Sequence, residues 1–188
     1  MEERYAKLFG QLNKETQSHS KRVAKICRYL APVMGIDEEL AYRIGYVHDV
    51  GKLYIPSRII KKSESLTELE REIVDLHSYY GYKMLKDMGD GPEVYIPVLF
   101  HHGFLKPRIG NEKAVLTEDM MKSIYVIHSA DVYDAMMNKR VYHEPFSLEQ
   151  TLDNLKDDAL SNDNIINALA QYRCTESKRE KTISYIYI

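Results

Sequence analysis

Within the 188-residue chain, the stretch His48-Asp49-Val50-Gly51-Lys52 offers the most chemistry. An imidazole gives a metal ion one nitrogen. The neighbouring carboxylate gives one or two oxygens and can bridge two ions. Gly51 lets the backbone turn sharply after a helix. Lys52 then lies beside any bound metal, where it can hold a phosphate oxygen. A His-Asp pair is a common dipeptide, so its weight rests on the other ligands the chain supplies. Glu15 and His19 are four apart and share one helix face. His77 stands alone in a helical stretch, and His101-His102 are adjacent. Asp131 lies in the apolar run Ile127-His128-Ser129-Ala130-Asp131-Val132, where an unpartnered carboxylate would cost several kcal/mol. Five of the 7 histidines therefore fall where helices could converge on one centre. His128, three residues before Asp131 on the same helix face, could support a ligand from behind, but is expected first to be a core or inter-helix histidine.

The elements that must position these groups follow from periodicity and caps. Residues 1–13 read as a short helix or lead-in. A helix runs from Glu15 to Met34, with Val23, Ile26, Cys27, Leu30 and Met34 on one face, and Gly35 stops it. Asp37 caps a second helix over 38–49, which ends at His48-Asp49. Ile55-Pro56 opens a loop reaching Leu66. Thr67 and Glu70 form a capping box for a helix to about Asp87, with His77 in its middle. Gly89-Asp90-Gly91-Pro92 is a turn, followed by a helix over about 93–101 and a loop over 103–116. Thr117 caps a helix over about 118–137, which holds Asp131 and Asp134. Ser147 and Gln150 cap another, to about Leu160. Segments 163–174 and 176–187 complete the chain, and the alternating Thr182–Ile188 could be a strand. One all-α domain over residues 1–188 is expected.

Composition narrows the function classes. Net charge is -2 with 29% charged residues, which points to neither nucleic acid nor a membrane surface. No apolar run is long enough to span a bilayer, and Met1-Glu2-Glu3-Arg4 does not open a signal peptide. A soluble, cytoplasmic protein is expected. Cys27 and Cys174 are isolated, with no CxxC, so a zinc-thiolate site is not expected.

In the order H…HD…H…HH…D the chain resembles the HD superfamily of metal-dependent phosphohydrolases, and in detail its HD-GYP branch. His48-Asp49-Val50-Gly51-Lys52-Leu53-Tyr54-Ile55-Pro56-Ser57-Arg58-Ile59-Ile60 is similar to that branch's HDIGKIGIP-x-x-I-L. Leu66-Thr67 through His77, Gly81 and Leu85 follow its LT-x-x-E…H…G-x-x-x-L. Ala130-Asp131-Val132-Tyr133-Asp134-Ala135-Met136 resembles its ADVFDAL, Arg140-Val141-Tyr142 its R-x-Y, and Glu15-Thr16-Gln17-Ser18-His19 its ET-x-x-H. The resemblance covers about residues 14–160. It implies a helical bundle of five core helices with extra C-terminal helices. It implies metal ligands at His19, His48, Asp49, His77, His101, His102 and Asp131, with Glu15 matching the extra carboxylate of three-metal members.

The resemblance also implies a reaction. Nitrogen and oxygen ligands without thiolate suit two or three divalent ions, iron or manganese first. Two such ions ~3.5–4 Å apart clamp a phosphoryl oxygen and lower the pKa of a bridging water. Asp49 would bridge them, Lys52 would neutralise a non-bridging oxygen, and Arg140 would hold a second phosphate. The expected activity is a phosphodiesterase or phosphohydrolase acting on a nucleotide or on a cyclic dinucleotide such as cyclic di-GMP. Two alternatives are a metal- or nucleotide-binding regulatory module with little turnover, and a di-iron oxygenase. The chain departs from the branch after His102. Gly103-Phe104-Leu105-Lys106-Pro107-Arg108-Ile109-Gly110 replaces an acidic residue and the GYP loop, and His143 replaces a basic residue after Tyr142. Lys106 and Arg108 at the mouth would favour anionic substrates. The departure points toward a linear dinucleotide or another phosphoester over cyclic di-GMP.

Overall fold

The computed structural model describes residues 2–103, 116–139 and 144–172, and all of the regular structure there is helical. Helix α1 (Glu2–Gln11) leads into α2 (Lys14–Met34), whose N-terminus is capped by the Asn13 side chain accepting from the Thr16 amide. Gly35 ends α2 in the left-handed conformation, φ 66°, which glycine adopts without a Cβ penalty. Asp37 caps α3 (Glu38–Val47). His48 is the C-cap of α3, so the His48-Asp49 pair lies just past the helix and not within its last turn.

A 3-10 turn (Val50–Tyr54) follows, and the loop expected from Ile55 to Leu66 carries a short helix α4 (Ser57–Ile60). The Thr67–Glu70 capping box opens α5 (Glu68–Asp75). The expected single helix to Asp87 is broken at Leu76, and α6 (His77–Asp87) begins with His77. The break has a local cause. His77 Nδ1 lies 2.6 Å from the Val74 carbonyl oxygen, which the Ser78 amide would take in a continuous helix. The Leu76 amide accordingly tightens onto Ile73 O. Helix α7 (Pro92–Phe100) starts with a proline at its first turn, where the missing N–H is not needed. Helix α8 (Glu118–Met137) is capped by Thr117. Helix α9 (Leu148–Lys156), under its Ser147–Gln150 capping box, ends earlier than expected. A last helix, α10, runs over 163–172. The possible strand over 182–188 lies outside the described residues.

Helices α2, α3, α6, α7 and α8 pack on one another as the central bundle. Their buried apolar side chains, among them Val23, Leu30, Ile44, Leu85, Val98 and Ile127, form one cluster. Tyr5 and Phe9 of α1, Leu155 of α9, and Ile165 and Leu169 of α10 belong to the same cluster. Phe9 stacks on Tyr46 with ring centroids 4.1 Å apart. Among the described residues no helix is long and apolar enough to cross a membrane.

Candidate metal centre

Inside the bundle the core is not wholly apolar. His48, Asp49, His77 and His101 are each at most 2% exposed, and His19 and Asp131 are buried beside them. His19 comes from α2, His48 and Asp49 from the end of α3, and His77 from the start of α6. His101 and His102 come from the end of α7, and Asp131 from the middle of α8. The fold brings seven of the eight residues expected as ligands to one place.

Three groups of ligand atoms, each within 4.8 Å of one another, make up the centre: His77, His101 and His102; His48, Asp49 and His101; and His19, His48 and Asp131. Asp49 stands between the two ends. Its Oδ1 is 3.4 Å from His77 Nε2, and its Oδ2 is 3.5 Å from His48 Nε2 and 3.8 Å from His19 Nε2. Asp131 Oδ1 lies 2.9 Å from His19 Nε2 and 3.8 Å from His48 Nε2, with Oδ2 3.9 Å from His102 Nδ1.

The tautomers follow from the backbone. His48 Nδ1 lies 2.8 Å from Gly45 O, His77 Nδ1 2.6 Å from Val74 O, and His101 Nδ1 2.6 Å from Val98 O. A carbonyl oxygen only accepts, so each Nδ1 carries the proton and each Nε2 turns a lone pair to the centre. His77 Nε2 then faces His101 Nε2 at 3.2 Å, and His102 Nε2 at the same distance. His48 Nε2 is buried without a hydrogen-bond partner among the described residues. Converging lone pairs with buried carboxylates between them are a poor arrangement for a protein alone and a good one for cations. The donor set therefore fits divalent metal ions.

Protonation follows the same geometry. Burial pushes the His77 imidazole down to about 3, and drives His101 well below its usual range with His102 and His77 adding to it. Burial likewise lowers His48 and His102. His19 goes the other way. Burial opposes its charge, but hydrogen bonds to Asp131 and Asp134 hold it up at about 9. Burial also opposes ionisation of Asp49, yet Lys52 and the surrounding imidazoles keep it well below the ordinary carboxylate value.

Lys52 follows Asp49 on the 3-10 turn, and its Nζ is 2.7 Å from Asp49 Oδ2. Glu15 stays apart from the three groups. It is exposed, on the wall of a cavity of about 740 Å³ that His19 and Lys52 also line. Lys14, Arg22, Lys61 and Lys139 line the same cavity, so its rim is strongly basic; Ile59, Leu66 and Val74 give it an apolar side. Arg140, Lys106 and Arg108 lie outside the described residues.

Two supporting groups stand behind the ligands, and the first of them, Asp134, carries no role in the sequence reading. Asp134 Oδ2 accepts at 2.7 Å from His19 Nδ1, and Asp134 in turn receives a fork from Arg22, Nε to Oδ1 at 2.7 Å and Nη2 to Oδ2 at 2.8 Å. His128 is an inter-helix histidine, but it contacts the centre: its Nδ1 is 2.7 Å from the His101 carbonyl oxygen. Spacing held the signal for the first, since Asp134 is one turn beyond Asp131 and Arg22 one turn beyond His19.

A helical bundle with a histidine–aspartate cluster at its heart is the build of a metal-binding domain. The chain belongs to the HD domain family, whose model matches residues 16–136. It is 31% identical over 148 residues to a cyclic di-GMP phosphodiesterase of Thermotoga maritima, covering 72% of this chain and 38% of that protein. It is 29% identical over 140 residues to 3'3'-cGAMP-specific phosphodiesterase 1 of Vibrio cholerae, covering 73% of this chain and 32% of that one. The chain thus spans about a third of the length of these relatives. Its fold is similar to the HD domain of the phosphodiesterase PgpH of L. monocytogenes, with a TM-score of 0.64 at 20% identity over 96% of this chain and 99% of that one.

Proposed function

We propose that the protein is a metal-dependent phosphodiesterase whose substrate is a cyclic dinucleotide or a related nucleotide phosphoester. The observation that carries this is the set of inward-facing Nε2 lone pairs and buried carboxylates, which shares His19 with the wall of a basic cavity. His19, His48, Asp49, His77, His101, His102 and Asp131 would hold two divalent ions, and Glu15, on the cavity wall, is proposed as a ligand of a third. Nitrogen and oxygen donors without thiolate favour iron or manganese. Such ions supply an activated water and polarise the phosphoryl group.

The chain's own groups do the rest. Lys52, next to Asp49 and on the cavity wall, would set its charge against a non-bridging phosphate oxygen. Lys14 and Lys61 have no side-chain ion pair among the described residues and face the cavity, where they would hold a second phosphate. Ile59, Leu66 and Val74 offer a flat base an apolar wall. Arg140 is proposed as a further phosphate contact. The two curated relatives are named for different cyclic dinucleotides, which supports the class more than any one base pair.

The test is turnover by protein loaded with Mn(II) or, without oxygen, Fe(II), against cyclic di-GMP, cyclic di-AMP, 3'3'-cGAMP and linear dinucleotides. Release of a ring-opened or mononucleotide product is expected. Preference for the linear dinucleotide would trace the substrate to the replaced loop after His102. Full metal occupancy with no hydrolysis of any of these would overturn the proposal.

A further inference from the structure

We infer that His128 and Asp158 act as a positioning pair that fixes the His101–His102 peptide from behind, so that both imidazoles face the metals. This rests on the proposed metal-binding role of those two histidines. His101 is the C-cap of α7, and its carbonyl is among those a helix end leaves without an intrahelical partner. The residue is fully buried, so water cannot serve that oxygen.

His128, one turn before Asp131 on α8, supplies the missing donor through Nδ1 at 2.7 Å. Its other nitrogen, Nε2, is 2.7 Å from Asp158 Oδ2. A carbonyl only accepts, so Nδ1 carries the hydrogen that reaches His101, and Asp158 holds the opposite edge of the ring. Asp158 is itself anchored, its Oδ1 accepting from the Leu160 amide at 2.8 Å. Ser129 adds a second tie between the same two segments through Ser161 Oγ at 3.2 Å. The residues after α9 therefore reach the metal centre through His128. The carbonyl it holds belongs to the peptide that joins two neighbouring ligands, so rotating that peptide would turn both rings. Partners of this kind, one step removed from a metal, typically change affinity ~10–100-fold when lost.

Two substitutions separate this role from simple packing. Asparagine puts its amide nitrogen where His128 Nδ1 lies, and glutamine puts its own where Nε2 lies. His128→Asn should keep the bond to His101 and lose Asp158. His128→Gln should keep Asp158 and lose His101. The readout is Mn(II) affinity and stoichiometry by calorimetry, with thermal unfolding of the metal-stripped protein alongside. His128→Gln is expected to weaken at least one site ~10–100-fold while His128→Asn stays within a few-fold of wild type. Should His128→Gln not fold, Asp158→Asn is read instead, with a smaller loss at the same site expected. Equal effects of Asn and Gln, or wild-type affinity in His128→Gln or in its Asp158→Asn stand-in, would overturn the positioning role. Wild-type protein that bound no Mn(II) at all would overturn this inference together with the proposed function, whereas metal binding without phosphodiester hydrolysis would overturn the function alone.

Discussion

Stripped of metal, the protein should have a narrow stability optimum near neutral pH, with an acid side set by the ligand histidines. His77 is held at about 3 and His101 well below its usual value of 6.5, both mainly by burial. In the unfolded chain each titrates near 6.5. The sign follows: between those values the unfolded chain binds protons that the folded one refuses, so stability is lost as pH falls below 6.5. Going from about pH 7 to about pH 5.5, each such histidine costs about 1.2 kcal/mol, or roughly 2.5 kcal/mol for the pair. His48 and His102, also lowered, add to this. The buried carboxylates Asp49 and Asp131 are held well below 3.8 and do not titrate in this window. On the alkaline side His19, held up at about 9, contributes stability that is complete below 6.5 and lost as pH rises through about 9. Urea unfolding of chelator-treated protein across this range measures both sides. His77→Gln should reduce the acid slope by about one proton. A metal-free protein as stable at about pH 5.5 as at about pH 7 would refute the assignment of neutral, inward-facing imidazoles.

A Cβ at Gly51 would run into the backbone carbonyl of His77 and the amide of Gly81, whereas one at Gly81 would meet mainly Val98 Cγ1 at 3.1 Å. Gly51→Ala should therefore cost about 3 kcal/mol or more and disrupt metal binding, with Gly81→Ala much milder in the same denaturation assay. Lys52→Ala should bind Mn(II) at least as tightly as wild type, because a cation leaves the site, yet lose about 10²–10³ in kcat; equal loss of metal would refute its phosphate role. His48→Ala and Asp49→Ala should lose metal and turnover together, read by metal analysis of purified protein. Asp134→Asn should weaken metal binding ~10–100-fold by releasing His19 and Arg22, with the His19 imidazole moving down in a proton NMR titration.

Much of this molecule was decided locally, and local features are legible in a sequence. Asn13 aside, the caps at Asp37, Thr67, Thr117 and Ser147 and the stop at Gly35 were all readable, because a cap is a contact between residues three apart or a backbone angle only glycine takes easily. The HD family pattern was readable too, since its motifs lie in fixed order along the chain. The break at Leu76 was not. It falls where the 3-10 turn at Gly51 packs against His77 and Gly81, a contact between segments far apart along the chain. The sequence could nominate Glu15 and His19 together by spacing alone. Tertiary packing separates them, turning His19 inward between Asp131 and Asp134 and leaving Glu15 on the cavity wall. The Arg22–Asp134 fork and the reach of His128 to His101 join residues 112 and 27 positions apart. Periodicity can set such residues on the face of a ligand, but it does not say which partner they meet. These contacts exist only because the bundle buries carbonyls and charges that must then find partners.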